Sequence, residues 1–248
     1  MKCLVLAAGY ATRLYPLTKN FPKPLLDVKG KAIIDWVLED LDSVDSIDEF
    51  VIVTNHRFAH IFEEWKKKVN YRAQVTIIDD GTTDNDNRLG AVRDIAYAIK
   101  KCKINTDLMV VAGDNLVDFS LRGFVQYFLK KDATCVMRHF EPEIAKLQRT
   151  GVIQIDEFDR ILEMQEKPQI PKSNWAVPPF YIYKEDDLSR ISQAVDECIC
   201  NVDAPGDFIA WLCSRCEVYA WEMPGNRYDI GNMESYELIK NIYNGVIV

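Results

Sequence analysis

The sequence predicts an α/β chain built from parallel β-α-β units, and three observations predict it. Short apolar runs rich in Val and Ile recur through the first half. The stretches between them carry apolar residues three and four positions apart, the helical period. The two patterns alternate, which implies parallel strands joined by right-handed crossovers. The first strand is Lys2–Leu6, where Leu4-Val5-Leu6 is apolar without a break. Helices fit Ala32–Leu41 (through Ile33, Trp36, Val37 and Leu41), Phe58–Val69 and Ala91–Lys101. Strands fit Glu49–Thr54, Gln74–Ile78 and Leu108–Ala112.

After residue 133 the pattern changes. Gly151–Ile155 and Arg160–Met164 read as a hairpin around Glu157-Phe158-Asp159. A strand at Phe180–Tyr183, two helices, a strand at Glu217–Met223 and a last helix starting near Glu234 follow. No repeat, low-complexity tract or linker interrupts the chain. One domain over residues 1–248 is expected, with halves 1–132 and 133–248, the second adding a smaller β/α lobe.

A length of 248 residues with 48% hydrophobic side chains supports a sizeable core. The net charge of -8 argues against a general nucleic-acid binder. No apolar run is long enough to span a bilayer. Met1-Lys2 before CLVLAAG imitates a signal peptide, but the apolar run is too short, so a cytoplasmic, uncleaved protein is expected. The seven cysteines then read as reduced thiols. Cys198-x-Cys200 and Cys213-x-x-Cys216 could bind zinc, but burial as small hydrophobes is the better reading. His56 and His60 stand at ligand spacing without an acid or Cys to complete a site, so packing and capping are expected of them.

Within this acidic chain, residues 1–31 hold Lys2, Arg13, Lys19, Lys23, Lys29 and Lys31 against one acid, Asp27. Gly9 follows the first strand, where a bare backbone can turn tightly and bring N–H groups to an anion. Arg13 can bind phosphate oxygens in bidentate fashion, and Lys23 is a point charge held between Pro22 and Pro24. These are parts of a phosphate cradle, although Gly9-Tyr10-Ala11 breaks G-x-G-x-x-G and Leu25 occupies a position where a Walker loop needs glycine. Asp114 in Gly113-Asp114-Asn115 follows a buried strand, and Asp229 lies just before the last helix. Parallel sheets bind ligands at their carboxyl ends, so residues 7–13, 55–57, 79–90 and 113–115 are the expected site. Two carboxylates there can hold Mg²⁺. Glu166-Lys167-Pro168 places another lysine beside a proline.

Leu6–Thr18 with Pro22-Lys23-Pro24, Gly113-Asp114-Asn115, Gly151-Val152, Glu166-Lys167-Pro168 and Asp229-Ile230-Gly231 stand in the order found in a known family. Over nearly its whole length the sequence resembles the nucleotidyltransferases that make NDP-sugars from sugar 1-phosphates. The resemblance implies a Rossmann-like, mostly parallel doubly wound sheet with a nucleotide-binding half and an acceptor-binding half. It implies that Ala8, Gly9, Tyr10, Ala11 and Thr12, with Arg13, hold the triphosphate, and that Lys23 contacts phosphate at the reacting centre. Asp114 and Asp229 would hold the catalytic Mg²⁺. Lys167 would bind the acceptor phosphate, with Gly151 and Glu166 near the sugar hydroxyls. Asp79 opens the loop expected to read the base, and Leu89-Gly90 resembles the family's Leu-Gly element beside the nucleotide. The expected partners are an NTP and a small phosphorylated acceptor, with self-association left open. In-line attack of an acceptor phosphate oxygen on the α-phosphorus needs positioning and charge neutralisation, and no strong base.

Three positions depart from the family pattern. Ala11 replaces the second glycine of the opening motif, Pro179 replaces a Gly, and Arg227 stands where many members have Trp. Pro179 and Arg227 are expected on the acceptor side, Arg227 as an acceptor contact. The chain ends at Val248 without a hexapeptide-repeat domain, so no acetyltransferase activity is expected. One alternative is a cytidylyltransferase for phosphocholine or another alcohol phosphate or phosphonate. Trp175, Tyr181, Tyr183, Trp221 and Tyr228 could cage a quaternary ammonium, though core packing suits most of them better. The other alternative is a regulatory homologue that binds nucleotide-sugar without turnover, which retention of Arg13, Lys23, Asp114 and Asp229 disfavours. Neither the base nor the acceptor can be read from DDGTTDNDNR or its surroundings.

Overall fold

The computed structural model describes residues 1–246, so positions 247 and 248 of the expected domain lie outside the described residues. In chain order the strands are β1 (Lys2–Ala7), β2 (Asp27–Val28), β3 (Lys31–Ala32), β4 (Glu49–Thr54), β5 (Gln74–Asp79), β6 (Leu108–Ala112), β7 (Asn115–Val117), β8 (Thr134–Phe140), β9 (Gly151–Ile155), β10 (Ile161–Glu166), β11 (Trp175–Val177), β12 (Phe180–Tyr183), β13 (Val218–Glu222) and β14 (Arg227–Asp229). The helices are α1 (Ile33–Asp42), α2 (Ala59–Lys66), α3 (Ala91–Lys101), α4 (Arg122–Lys131), α5 (Ile144–Leu147), α6 (Leu188–Asp196), α7 (Pro205–Leu212) and α8 (Met233–Ile242). This is the α/β class expected from the sequence. The chain divides into two compact units, each discontinuous in sequence. Unit 1 is Met1–Arg88, Val111–Arg122 and the chain from Pro224 onward; unit 2 is Leu89–Val110 and Gly123–Met223.

In unit 1, β1, β4 and β5 are parallel neighbours, with Leu4 opposite Val51 and Val51 opposite Thr76. Cys3, Leu4, Val5 and all of Phe50–Thr54 are buried, as strands covered on both faces are. α1 turns Ile33, Ile34, Val37, Leu38 and Leu41 inward, the expected helical stripe. The antiparallel ribbon β7–β14 sets Asp229 opposite Asn115 and Arg227 opposite Val117. α8 begins with a capping box between Asn232 and Ser235. Leu14, Leu26, Leu116, Ile230 and Tyr243 share one core, which ties the opening loop to the ribbon and to α8. Tyr243 closes it, its hydroxyl donating to Val117 O at 2.9 Å.

Unit 2 orders its strands β10-β9-β11-β8-β12, with β13 beside β8; the boundary between the units falls within β6. β10–β9, β9–β11, β11–β8 and β8–β12 are antiparallel, and β13 runs parallel to β8. The parallel arrangement expected from the alternation therefore describes the sheet of unit 1, whose strands are joined through helices. In unit 2, close connections such as the Asp156–Arg160 turn return the chain directly. β8, β11, α4 and the short ribbon strands escape the sequence reading, the ribbon strands because three residues carry no usable period.

Candidate functional site

Unit 1 gathers the opening loop, Lys23, Asp114 and Asp229. β1 delivers the loop, and the buried Asn55 fixes its base by donating to Ala8 O at 2.9 Å while accepting from the Phe58 N–H. A Cβ built on Gly9 would have nothing within 4 Å, so the backbone there is bare to an approaching ligand. Tyr10 points inward, where its hydroxyl donates to Thr82 Oγ1 at 3.1 Å; burial pushes its phenol up. Ala11 takes the left-handed conformation, φ 45 and ψ 44, that the glycine of the family pattern would adopt freely. Its methyl packs on the Leu14–Tyr243 core, and its carbonyl accepts from Thr18 Oγ1 at 2.8 Å. A 3₁₀ turn, Thr12–Leu14, follows and leaves Arg13 exposed, with no protein partner among the described residues.

Lys23 opens a second 3₁₀ turn, Lys23–Leu25, between two prolines. A Cβ on Gly113 would meet Val5 Cγ1 at 3.0 Å and Pro24 Cγ at 3.2 Å. Glycine thus lets Pro24 seat against the end of β6, and this brings Lys23 beside Asp114. Lys23 Nζ donates to Asp114 Oδ2 at 2.7 Å. The other carboxylate oxygen, Oδ1, accepts from Asn115 Nδ2 at 2.6 Å, and Asn115 Oδ1 accepts from Arg227 Nη1. Asp229, at the end of β14, is exposed and its carboxylate takes no hydrogen bond from the described residues. Asp79, at the end of β5, meets His56 Nδ1 at 2.6 Å and accepts from the Gly81 N–H. That pairing is the role found for His56.

The donor set suits Mg²⁺. Asp229 is paired opposite Asn115 across the ribbon, and Asp114 is the residue before Asn115, so two hard oxygen donors stand at one end of the ribbon. Among the described residues no cluster of three or more His, Cys, Asp or Glu could hold a metal. Mg²⁺ is usually bound by one or two carboxylates together with substrate phosphates, which is what two carboxylates beside a bare-backbone loop offer. None of the seven cysteines pairs in a disulfide, and burial pushes Cys213 up to about 12 and Cys216 up to about 11.

Unit 2 holds Gly151, Glu166 and Lys167. β9 and β10 place Gly151 directly opposite Glu166. A Cβ on Gly151 would lie 2.5 Å from Met164 Cε. Lys167 has a left-handed backbone, φ 47, anchored by its N–H to Thr150 O at 3.1 Å. Its Nζ stands 3.6 Å from Glu166 Oε1. Burial raises the Glu166 pKa, Lys167 partly offsets this, and Asp207 adds to it. Leu89 and Gly90 also belong to unit 2. Gly90, φ 92, is required locally, since a Cβ would fall 2.6 Å from Asp203 Oδ1. Arg227 belongs to unit 1, not to the unit of the other three residues expected to contact an acceptor.

Two participants were missed by sequence reasoning. A Cβ on Gly206, in the first turn of α7, would lie 1.9 Å from Glu166 Oε2. Asn115 links Arg227 to Asp114. Pro205-Gly206 reads as turn punctuation, and nothing local in it signals Glu166; Asn115 was visible as part of Gly113-Asp114-Asn115, but its partner was not. The five aromatics considered as a cage all have packing neighbours. Trp175 lies against Phe140 and Arg138, Tyr181 stacks on Tyr183, Trp221 stacks on Phe124, and Tyr228 packs on Tyr243.

Residues 2–244 match the model of the nucleotidyl transferase family. The bifunctional protein GlmU of Methanocaldococcus jannaschii is 28% identical over 174 residues, covering 70% of this chain and 38% of that protein. The UTP–glucose-1-phosphate uridylyltransferase of Synechocystis is 25% identical over 246 residues, covering 95% of this chain and 61% of that protein. The chain thus spans less than two thirds of the length of these curated relatives. A solved UDP-glucose pyrophosphorylase, complexed with UDP-glucose, superposes with a TM-score of 0.82 at 23% identity, covering 98% of this chain and 97% of that one. At that identity the likeness shows the fold.

Proposed function

The chain belongs to the nucleotidyl transferase family, and on that footing we propose that it transfers a nucleoside monophosphate from an NTP to a sugar 1-phosphate. The products are an NDP-sugar and pyrophosphate. The observation that carries this reading is the Lys23–Asp114 pair, 2.7 Å apart, in the same unit as a glycine loop with a free arginine. The names of the relatives, which include a glucose-1-phosphate uridylyltransferase and a glucose-1-phosphate adenylyltransferase, support a hexose 1-phosphate as acceptor.

In this reading the backbone of Ala8–Thr12 and the Arg13 guanidinium hold the triphosphate. Asp79 and the loop after it face the nucleoside. Lys23, held at Asp114 before reaction, neutralises a phosphate oxygen as charge develops there. Asp114 and Asp229 are the Mg²⁺ ligands, and when bound the metal neutralises phosphate charge. Lys167 holds the acceptor phosphate, and the buried Glu166 accepts from a sugar hydroxyl beside the side-chain-free Gly151. A phosphate oxygen of the acceptor forms the new bond to the α-phosphorus while the bond to the β-phosphate oxygen breaks. No proton need be removed from an anionic phosphate, which accords with a site of Arg, Lys and Asp.

The test is pyrophosphate release in Mg²⁺ with each of the four NTPs, paired with hexose 1-phosphates, phosphocholine and aminoethylphosphonate. Release with one NTP and a hexose 1-phosphate is expected. Release confined to CTP and an amino-alcohol phosphate or phosphonate would replace the acceptor class. Tight nucleotide-sugar binding with no release from any pair would replace the enzyme with a binding protein.

A further inference from the structure

Arg227 and Asn115 form a directional chain that ends on Asp114. A guanidinium can only donate, so the Asn115 oxygen must face Arg227. The Asn115 NH₂ is then forced to face Asp114, where it donates to Oδ1 at 2.6 Å. Lys23 takes Oδ2 from the other side. Both oxygens of the carboxylate are therefore oriented by named donors, and the plane of the carboxylate is set. Asn115 is buried, at 2% exposure, so water cannot easily substitute for either partner. The antiparallel ribbon supplies the register, with Arg227 one strand across from the Asn115–Val117 segment.

We infer that Arg227 is a positioning residue for the Asp114 carboxylate, acting through the Asn115 amide, and is not an acceptor contact. This inference rests on the proposed function, which makes Asp114 a Mg²⁺ ligand. With Arg227 gone, the Asn115 amide loses the donor that fixes its orientation. Only the bond to Asp114 then restrains the amide, whose buried oxygen is left without a donor, so the amide can rotate and hold the carboxylate less firmly. Partners that stand behind a metal ligand typically change metal affinity by about 10–100-fold when removed. Lysine retains a donor at 227, though not the planar fork of arginine.

The experiment compares the full chain with Arg227→Met and Arg227→Lys. Calorimetry of NTP binding over a Mg²⁺ series gives the metal requirement, steady-state kinetics give the acceptor KM, and the Asn115 side-chain amide is followed by NMR in metal-free protein. Arg227→Met is expected to raise the Mg²⁺ concentration for half-maximal NTP binding about tenfold and to leave the acceptor KM within about twofold. It should also move the Asn115 NH₂ resonances, and Arg227→Lys should restore part of both effects. A tenfold rise in acceptor KM with an unchanged Mg²⁺ requirement would make Arg227 an acceptor contact and overturn the inference. Unmoved Asn115 resonances in Arg227→Met would overturn the chain of hydrogen bonds itself. If the unsubstituted protein bound no NTP, the proposed function would fall first, and the NMR result would still judge the hydrogen-bond chain.

Discussion

Each unit holds a lysine beside a carboxylate, and the two units bury opposite partners. In unit 1 the Lys23 side chain is 9% exposed and that of Asp114 37%. In unit 2 the order is reversed, with Lys167 at 58% and Glu166 at 13%. The partner left toward solvent is the more accessible of the two. Unit 1 therefore offers a carboxylate, suited to a cation, and unit 2 offers an ammonium, suited to an anion. Charge alone would have made the two pairs equivalent; burial separates them. Their coupling also differs. Lys23 and Asp114 make a true hydrogen bond at 2.7 Å, whereas Lys167 and Glu166 stand 3.6 Å apart, so Glu166 is buried with little direct compensation.

The strongest way to break this comparison is Asp114→Asn. It removes the offered carboxylate of unit 1, and turnover should fall about 10²–10³-fold, while the melting temperature shows the fold retained. Near-normal pyrophosphate release would take Asp114 out of any metal role. Lys167→Ala removes the offered cation of unit 2. A charged hydrogen bond of about 1.5–3 kcal/mol is lost, so the acceptor KM should rise about 10–100-fold with the NTP KM unchanged. Equal acceptor kinetics in the two proteins would show that unit 2 presents something other than Lys167.

Gly206→Ala sharpens the comparison from the buried side. Its Cβ would overlap Glu166 Oε2, so the carboxylate must move. Stability should drop by about 1–3 kcal/mol in denaturant titrations, with a weaker acceptor KM. An unchanged acceptor KM would separate Glu166 from acceptor binding.

Glu166→Gln tests the partly compensated burial of this carboxylate. The folded pKa of Glu166 is raised above the ordinary 4.5 by burial. A raised folded pKa gives a stability contribution that is fully present below 4.5 and lost as pH rises through the folded value. Glutamine has no such loss, so the variant should gain on the parent above that window and match it below. Parallel stability–pH curves would mean that Glu166 is not strained by burial. Ala11→Gly is the smallest change. It relieves a left-handed alanine but adds unfolded-chain entropy, so a net gain of no more than about 1 kcal/mol is expected from chemical denaturation. A loss would show that the methyl's contact with the Leu14–Tyr243 core outweighs the backbone strain.

Much of unit 1 was legible because its signals are local. The apolar runs of β1, β4 and β5 and the helical stripe of α1 each declare themselves within a few residues. Gly9, Arg13 and Lys23 could be picked out as anion chemistry from residue type and neighbours alone. Unit 2 was less legible. β8 and α4 were not separated from their surroundings, and the antiparallel order of β9, β11 and β8 depends on which strands meet, not on what each one contains. Gly206 shows the limit most clearly, since its necessity comes from a carboxylate forty positions earlier in the chain.

The sequence by itself determined the α/β class, most element positions, the family and the residue types of the candidate site. Those follow from short-range periodicity and from motif order along the chain. Tertiary structure alone decided which of the candidate residues meet. Lys23 meets Asp114 across 91 positions and Arg227 meets Asn115 across 112. Which member of each ion pair is buried, which way the Asn115 amide faces, and why residue 206 must lack a side chain are all properties of distant segments packed together. Packing fixes solvent access and hydrogen-bond direction, and neither is encoded in any single stretch of chain.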